Sequence, residues 1–295
     1  MIEERVAELA GQPVVSLEEV PGRGYTPARR LRVTLEDGST AFAKVAVNAS
    51  TAEWLAAEHV VYSQVEGDFL PRFLGYDASE PSILLLEDLS GAHWPPPWTQ
   101  RQVAAVSGAL DKIATTWPPH GVPPTEIYRE EVIGGWSLVA QDPGPFLSFG
   151  LCSAEWLEAA LPELRGSAEQ APIEGEALLH FDVRSDNIAL VADRAVLVDW
   201  NWACVGNPLL DRATWAPSLH VEGGPAPEAF VPDCPPGFPA MLAGFWAARI
   251  GLPPPPGAAP GLRDLQLAQL EVVLPWAVRA LRLPPDGLRI DSSAT

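Results

Sequence analysis

Short β-rich runs dominate the first ninety residues. Residues 14–17, 30–35 and 40–45 carry β-branched and aliphatic side chains, and the last two runs are joined by Glu36-Asp37-Gly38-Ser39, whose Asp-Gly pair is a hairpin signal. From Thr51 to Val65 the pattern becomes helical, with Trp54, Leu55, Glu58, Val61, Tyr62 and Val65 at three- and four-residue spacing and Thr51 as the expected N-cap. Two more strands are expected around 72–76 and at 82–86. After Gly91 the pattern predicts helices near 99–116, 153–164, 238–250 and 262–282, the last kinked or broken at Pro275. Two apolar strands, 177–179 and 195–198, interrupt this helical half and flank a polar loop. The reading is an α+β chain with a β-rich lobe over 1–90 and a mainly helical lobe over 91–295.

Composition narrows the partners. With 295 residues, 47% of them hydrophobic, and 11 tryptophans, the chain can bury a substantial core, so global disorder is excluded. Its net charge of −19 argues against nucleic acid and against anionic membranes, both of which reward basic surface. Local cations can still hold a small anion. Cys152, Cys204 and Cys234 are odd in number and lack metal spacing, which points away from a disulfide framework or a zinc site. No secretory leader and no membrane-length apolar run is visible, so a cytoplasmic location is expected. The proline-rich stretch 252–260 reads as a stiff connector. Lysine is the other anomaly: Lys44 and Lys112 are the only two.

Chemistry concentrates in the polar loop, Leu179-His180-Phe181-Asp182-Val183-Arg184-Ser185-Asp186-Asn187-Ile188, and in the strand end Val198-Asp199-Trp200. Oxygen ligands such as Asn187 and Asp199 suit Mg²⁺, which prefers one or two carboxylates plus substrate phosphates. A carboxylate held off the metal can orient a hydroxyl and accept its proton. That set meets the needs of phosphoryl transfer, where catalysis is positioning and charge neutralisation. Asp and Asn after a strand also serve as plain turn formers. A hydrolytic metal site on His180 and Asp182 is the rival chemistry, but the additional histidines it requires are scattered.

The loop resembles the His-x-Asp-x-x-x-x-Asn signature of the aminoglycoside phosphotransferase family, the small-molecule branch of the protein-kinase-like two-lobe fold. The resemblance implies that Asp182 is the catalytic base, that Asn187 and Asp199 hold Mg²⁺, that His180 buttresses the loop, and that Asp211 in Gly206-Asn207-Pro208-Leu209-Leu210-Asp211 braces it. Two positions depart from the pattern: Phe181 stands where the family has Gly, and Asn207 where it has Asp. It implies further that Lys44, mid-strand in Ala41-Phe42-Ala43-Lys44-Val45, reaches the phosphates of ATP or GTP. Its partner would be Glu58 in preference to Glu53. Gly22 and Gly24 would cover the phosphates, and the hinge around Glu87 and Leu89 would receive the purine.

An acceptor site in the second lobe is expected to draw on Trp200, Asn201, Trp202 and Glu222, with Trp215 and His220 nearby. Acids and aromatic faces there suit a polycationic sugar. The expected activity is transfer of a γ-phosphate to a small-molecule hydroxyl, as in an aminoglycoside-like antibiotic. A non-catalytic nucleotide-binding module, and a kinase of another metabolite such as an amino alcohol, are the alternatives.

Overall fold

The computed structural model describes residues 1–20, 27–254 and 261–290. The chain divides into two compact units, Met1–Pro123 with Ala177–Cys204, and Pro124–Glu176 with Val205–Thr295. This division differs from a cut at residue 90, because the polar loop and its flanking strands pack with the first ninety residues.

The first unit is built on a five-stranded antiparallel sheet. Its elements are α1 (Ile2–Ala10), β1 (Val14–Glu19), β2 (Arg29–Leu35), β3 (Thr40–Val45), α2 (Ala49–Gln64), β4 (Phe73–Asp77) and β5 (Ile83–Glu87), followed by α3 (Gln100–Thr115), β6 (Ala177–Leu179), β7 (Ile188–Val191) and β8 (Arg194–Leu197). The spatial strand order is β1-β2-β3-β5-β4. The β2–β3 hairpin turns where Asp-Gly predicts it, with Gly38 at φ 82° supplying the left-handed step.

Strand alternation decides what each face of the sheet does. Leu31, Val33, Leu35, Ala41, Ala43, Val45, Ile83 and Leu85 form one buried cluster with Val6 of α1. Arg30, Phe42, Lys44 and Leu86 have the opposite phase and line a cavity on the other face. Helix α1 escaped the sequence reading. Ile2, Val6, Leu9 and Ala10 form its apolar stripe, and it ends at Gly11 in a left-handed C-cap.

Helix α2 begins two residues before the expected start. Asn48 is its N-cap, accepting from the Thr51 amide at 2.9 Å, while the Thr51 hydroxyl accepts from the Asn48 amide at 3.0 Å. Thr51 therefore closes a reciprocal capping box instead of capping alone. Beyond β5, Leu89, Ala189 and Val196 form a second small core with Trp94 and Val198 against it. His93 and Leu190 exchange backbone hydrogen bonds of 3.0 and 2.8 Å. These contacts tie the β7–β8 hairpin to the sheet unit.

The second unit is helical. Helix Gly237–Ile250 is buried along most of its length and packs against Gly135–Gln141, Ala154–Glu169 and Leu262–Ala280. Trp136 donates to the Ala240 carbonyl at 2.7 Å within this core. Of the kink or break expected at Pro275, the break does not occur: the helix runs from Leu262 to Ala280 through it. Val273, Leu274, Trp276 and Ala277 are buried around the proline, and their packing offsets the one ladder bond it removes.

Candidate active site

Lys44 sits on β3, inside the sheet between β2 and β5, so it is not an edge residue. Its side chain is buried, and its ammonium donates to both carboxylate oxygens of Glu58 at 2.8 and 2.9 Å and to Asp199 Oδ1. Burial disfavours the ammonium, but Asp199 and Glu58 outweigh it and hold Lys44 above its ordinary value, protonated. Burial pushes Glu58 upward against the pull of Lys44. Burial would also raise Asp199, yet Lys44, its hydrogen bond and then Arg30 leave that carboxyl below the usual range. Glu53 is exposed on the same helix and takes no part.

The polar loop presents the second half of the site. Asn187, buried at the end of a short helical turn, donates from Nδ2 to the Asp182 carbonyl at 2.9 Å and to Asp182 Oδ2 at 3.0 Å. This fixes the carboxylate and leaves the Asn187 side-chain oxygen as the atom offered to a cation. Arg184 lies 3.1 Å from Asp182 and 3.1 Å from Asp186, bridging the two acids. Burial raises the Asp182 carboxyl, Arg184 opposes that, and the Asp199 charge adds to the rise. Burial likewise raises Asp186. Arg184 and Asp186 were visible in the sequence only as members of the loop. Their pairing emerges from the turn over Ser185–Asn187.

His180 is fully buried and holds the loop from within. Its Nδ1 accepts from the Asp182 amide at 3.3 Å, which leaves Nε2 as the donor to the Val198 carbonyl at 2.8 Å. One imidazole thus links the backbone before Asp199 to the backbone of Asp182. Phe181 and Asp199 both have left-handed backbones, at φ 65° and 68°. The left-handed step explains physically why a glycine suits position 181, and why a bulky residue there is strained.

Lys44, Asp199 and Asp186 line a cavity of about 530 Å³ whose other walls include Phe42, Leu86 and Trp94. Glu87 and Leu89 also line it. The Glu87 carboxylate is engaged by the Arg72 amide at 2.9 Å and by Arg194 at 3.1 Å, and the Leu89 carbonyl accepts from the Trp94 indole at 3.3 Å and the Ala92 amide at 3.0 Å. Apolar walls closed by a few charged groups at one end are the form of a small-ligand site. No cluster of three or more His, Cys, Asp or Glu suited to a metal occurs among the described residues. The donor set of Asn187 and Asp199 still fits Mg²⁺, which takes few protein ligands and completes its shell with phosphate and water.

Other sequence candidates fall elsewhere. Gly22 and Gly24 lie outside the described residues. Trp200 is fully buried, stacks edge-on against His180 at 4.7 Å and donates to the Leu197 carbonyl, so it supports the loop and has no surface for an acceptor. Asn201 and Trp202 are half-buried beside it, and the Asn201 amide, in the orientation that satisfies its neighbours, donates to the Asp199 carbonyl and accepts from Trp202. In the second unit, Asp211 is buried in the first turn of helix Leu209–Val221, Glu222 caps the end of that helix, and Trp215 is core. Arg30 was not singled out by sequence, although its phase opposite to Leu31, Val33 and Leu35 marks it.

The sequence matches no protein-family model and no curated protein. Among solved structures, the chain superposes on the apo form of a thermostable mutant of an aminoglycoside phosphotransferase with a TM-score of 0.59 at 16% identity, covering 95% of this chain and 98% of that one. An aminoglycoside phosphotransferase from Alicyclobacillus acidocaldarius gives 0.56 at 16% identity, with 91% of each chain covered. A spectinomycin phosphotransferase in complex with ADP and spectinomycin gives 0.54 at 14% identity, with 97% and 95% covered. The chain therefore has the two-lobe, protein-kinase-like fold of small-molecule phosphotransferases.

Proposed function

We propose that this chain is a Mg²⁺-dependent phosphotransferase that moves the γ-phosphoryl group of ATP or GTP to a hydroxyl of a small molecule, an aminoglycoside-like antibiotic being the favoured class. The observation that carries the reading is the Lys44 ammonium held between Glu58 and Asp199 on the wall of the cavity. A buried, protonated lysine at the polar end of an apolar cavity is an anion receptor, and the apolar end suits a purine. The solved phosphotransferase structures of the same fold, one holding ADP and spectinomycin, support both the nucleotide and the small acceptor.

In this mechanism Lys44 binds the nucleotide phosphates, with Glu58 fixing the direction of its ammonium. Asn187 and Asp199 would hold Mg²⁺, which neutralises charge on the transferring phosphoryl group when bound. Asp182, oriented by Asn187 and Arg184, receives the acceptor hydroxyl and takes its proton as the oxygen attacks phosphorus. His180 and Trp200 act as positioning residues that keep Asp182 and Asp199 in register.

The test is Asp182→Ala, with transfer measured by mass spectrometry across aminoglycosides, nucleoside antibiotics and amino alcohols, and Mg·nucleotide binding measured by calorimetry. Transfer should fall about 10²- to 10⁴-fold while binding changes little. Full transfer in the variant would remove Asp182 from the reaction. Nucleotide binding by the native chain without product from any acceptor would favour a non-catalytic module.

A further inference from the structure

We propose that Arg30 is a second phosphate-binding cation, acting beside Lys44 on the charged tail of the nucleotide; the inference rests on the phosphotransferase reading and adds a residue to it. The starting point is register. Arg30 on β2 stands directly opposite Lys44 on β3. Directly opposed residues in an antiparallel pair have Cβ atoms about 4.5–5.5 Å apart and share a face, and like charges placed so are destabilising. A phosphate placed over that pair meets both cations at once.

The surrounding charges show how far the protein itself supplies one. Lys44 is already divided between Glu58 and Asp199. Arg30, Lys44 and Asp199 line the same cavity, so both cations face the space beside the Asp199 carboxylate. One guanidinium nitrogen of Arg30 donates to the Ala28 carbonyl at 3.3 Å, which steadies the head group. Arg32, two residues along the same face, is directed instead to Asp88 at 3.0 Å.

Electrostatics favour a second cation. Four carboxylates line the cavity, Glu87, Asp88, Asp186 and Asp199, against two cations, Arg30 and Lys44. A nucleoside triphosphate brings several further negative charges. Glu87, Asp88 and Asp186 have arginine partners in Arg194, Arg32 and Arg184, which leaves the Lys44 end to receive the phosphates. One ammonium shared by two carboxylates has no net positive charge to offer there. Arg30 brings that end from one net negative charge to neutral, and its planar fork suits bidentate phosphate binding where Lys44 acts as a point charge.

The experiment compares the native chain with Arg30→Met and Arg30→Lys by calorimetry, using ADP, ATP, adenosine and their guanine counterparts with and without Mg²⁺. Arg30→Met should weaken di- and triphosphate binding roughly ten- to hundredfold and leave the nucleoside unchanged. Arg30→Lys should fall between, and the salt dependence of ATP binding should flatten in Arg30→Met. Thermal unfolding of each variant checks that it is folded. Equal losses for nucleoside and triphosphate would move Arg30 to the base and overturn the proposal, as would no loss at all. If the native chain binds no nucleotide, the phosphotransferase reading falls and this inference with it.

Discussion

Lys44 is more than a ligand contact, because its removal leaves Glu58 and Asp199 as two uncompensated carboxylates in a buried place. Breaking a buried pair from one side costs about 3–5 kcal/mol, whereas replacing both partners with apolar groups is often neutral. Lys44→Met should therefore lose stability on that scale in urea unfolding, and Lys44→Met with Glu58→Leu should recover much of it while remaining unable to bind nucleotide tightly. Recovery of stability without recovery of binding separates the structural role of the pair from its role toward phosphate. At this scale the sequence was readable where a residue type is rare. A lysine mid-strand in a chain with only two stands out. Arg30 did not stand out, because arginine is common here and only register brings it opposite Lys44. Trp200 was misread for the converse reason: its neighbours in sequence are polar, yet the turn after Asp199 buries it against His180.

Elements were legible where apolar period and turn chemistry agree. β3 and the Asp-Gly hairpin carry both signals. α1 was missed because nine residues with a narrow apolar stripe are too short to declare themselves before a sheet is there to cover them. A break at Pro275, one of the two outcomes expected there, does not occur, because burial of the whole segment outweighs the local backbone rule. The segment after β5 offers a sharper test. Asp88 accepts from the Ser90 amide at 2.8 Å, the Ser90 hydroxyl at 2.9 Å and Arg32 at 3.0 Å. Burial would raise its carboxyl, but the Ser90 amide, the Thr40 hydroxyl, the Ser90 hydroxyl and Arg32 together hold it below the ordinary aspartate range. A depressed folded value means that its stabilisation is present above the unfolded value and is lost as pH falls through the folded one. Asp88→Asn should thus cost about 1 kcal/mol at neutral pH. The difference from the native chain should shrink below about pH 4, as measured by urea midpoints across pH.

For the whole molecule, a net charge of −19 does not oppose the proposed binding of phosphate in the cavity, because the field is local. A phosphate at the polar end of the cavity feels Lys44 and Arg30 at close range, while surface carboxylates beyond a Debye length of about 8 Å are screened at physiological salt. Ligand linkage supplies the matching prediction. Mg·ATP or Mg·GTP at a hundred times its dissociation constant should stabilise the native chain by about 2.7 kcal/mol, seen as a rise of a few degrees in unfolding temperature. Chelating Mg²⁺ should reduce that rise, because Asn187 and Asp199, as the proposed ligands, would then lose the ion that joins them to the phosphates. A rise that ignores chelation would exclude them as the metal ligands. Two compact units of similar internal density also make the unfolding trace itself informative, since nucleotide should protect the unit that contains the cavity.

The scarcity of lysine makes the chain its own footprinting reagent. Lys112 is largely exposed in an ion pair with Asp68, whereas Lys44 is interior. An amine-acylating reagent therefore meets the folded chain at the N-terminus and Lys112, and reaches Lys44 only when the cavity opens. Acylated lysine resists lysine-specific proteases, so the junction between residues 44 and 45 is either cut or retained in the digest. The ratio of those two peptides, read by mass, reports how often the Lys44 ammonium becomes accessible, without any engineered label.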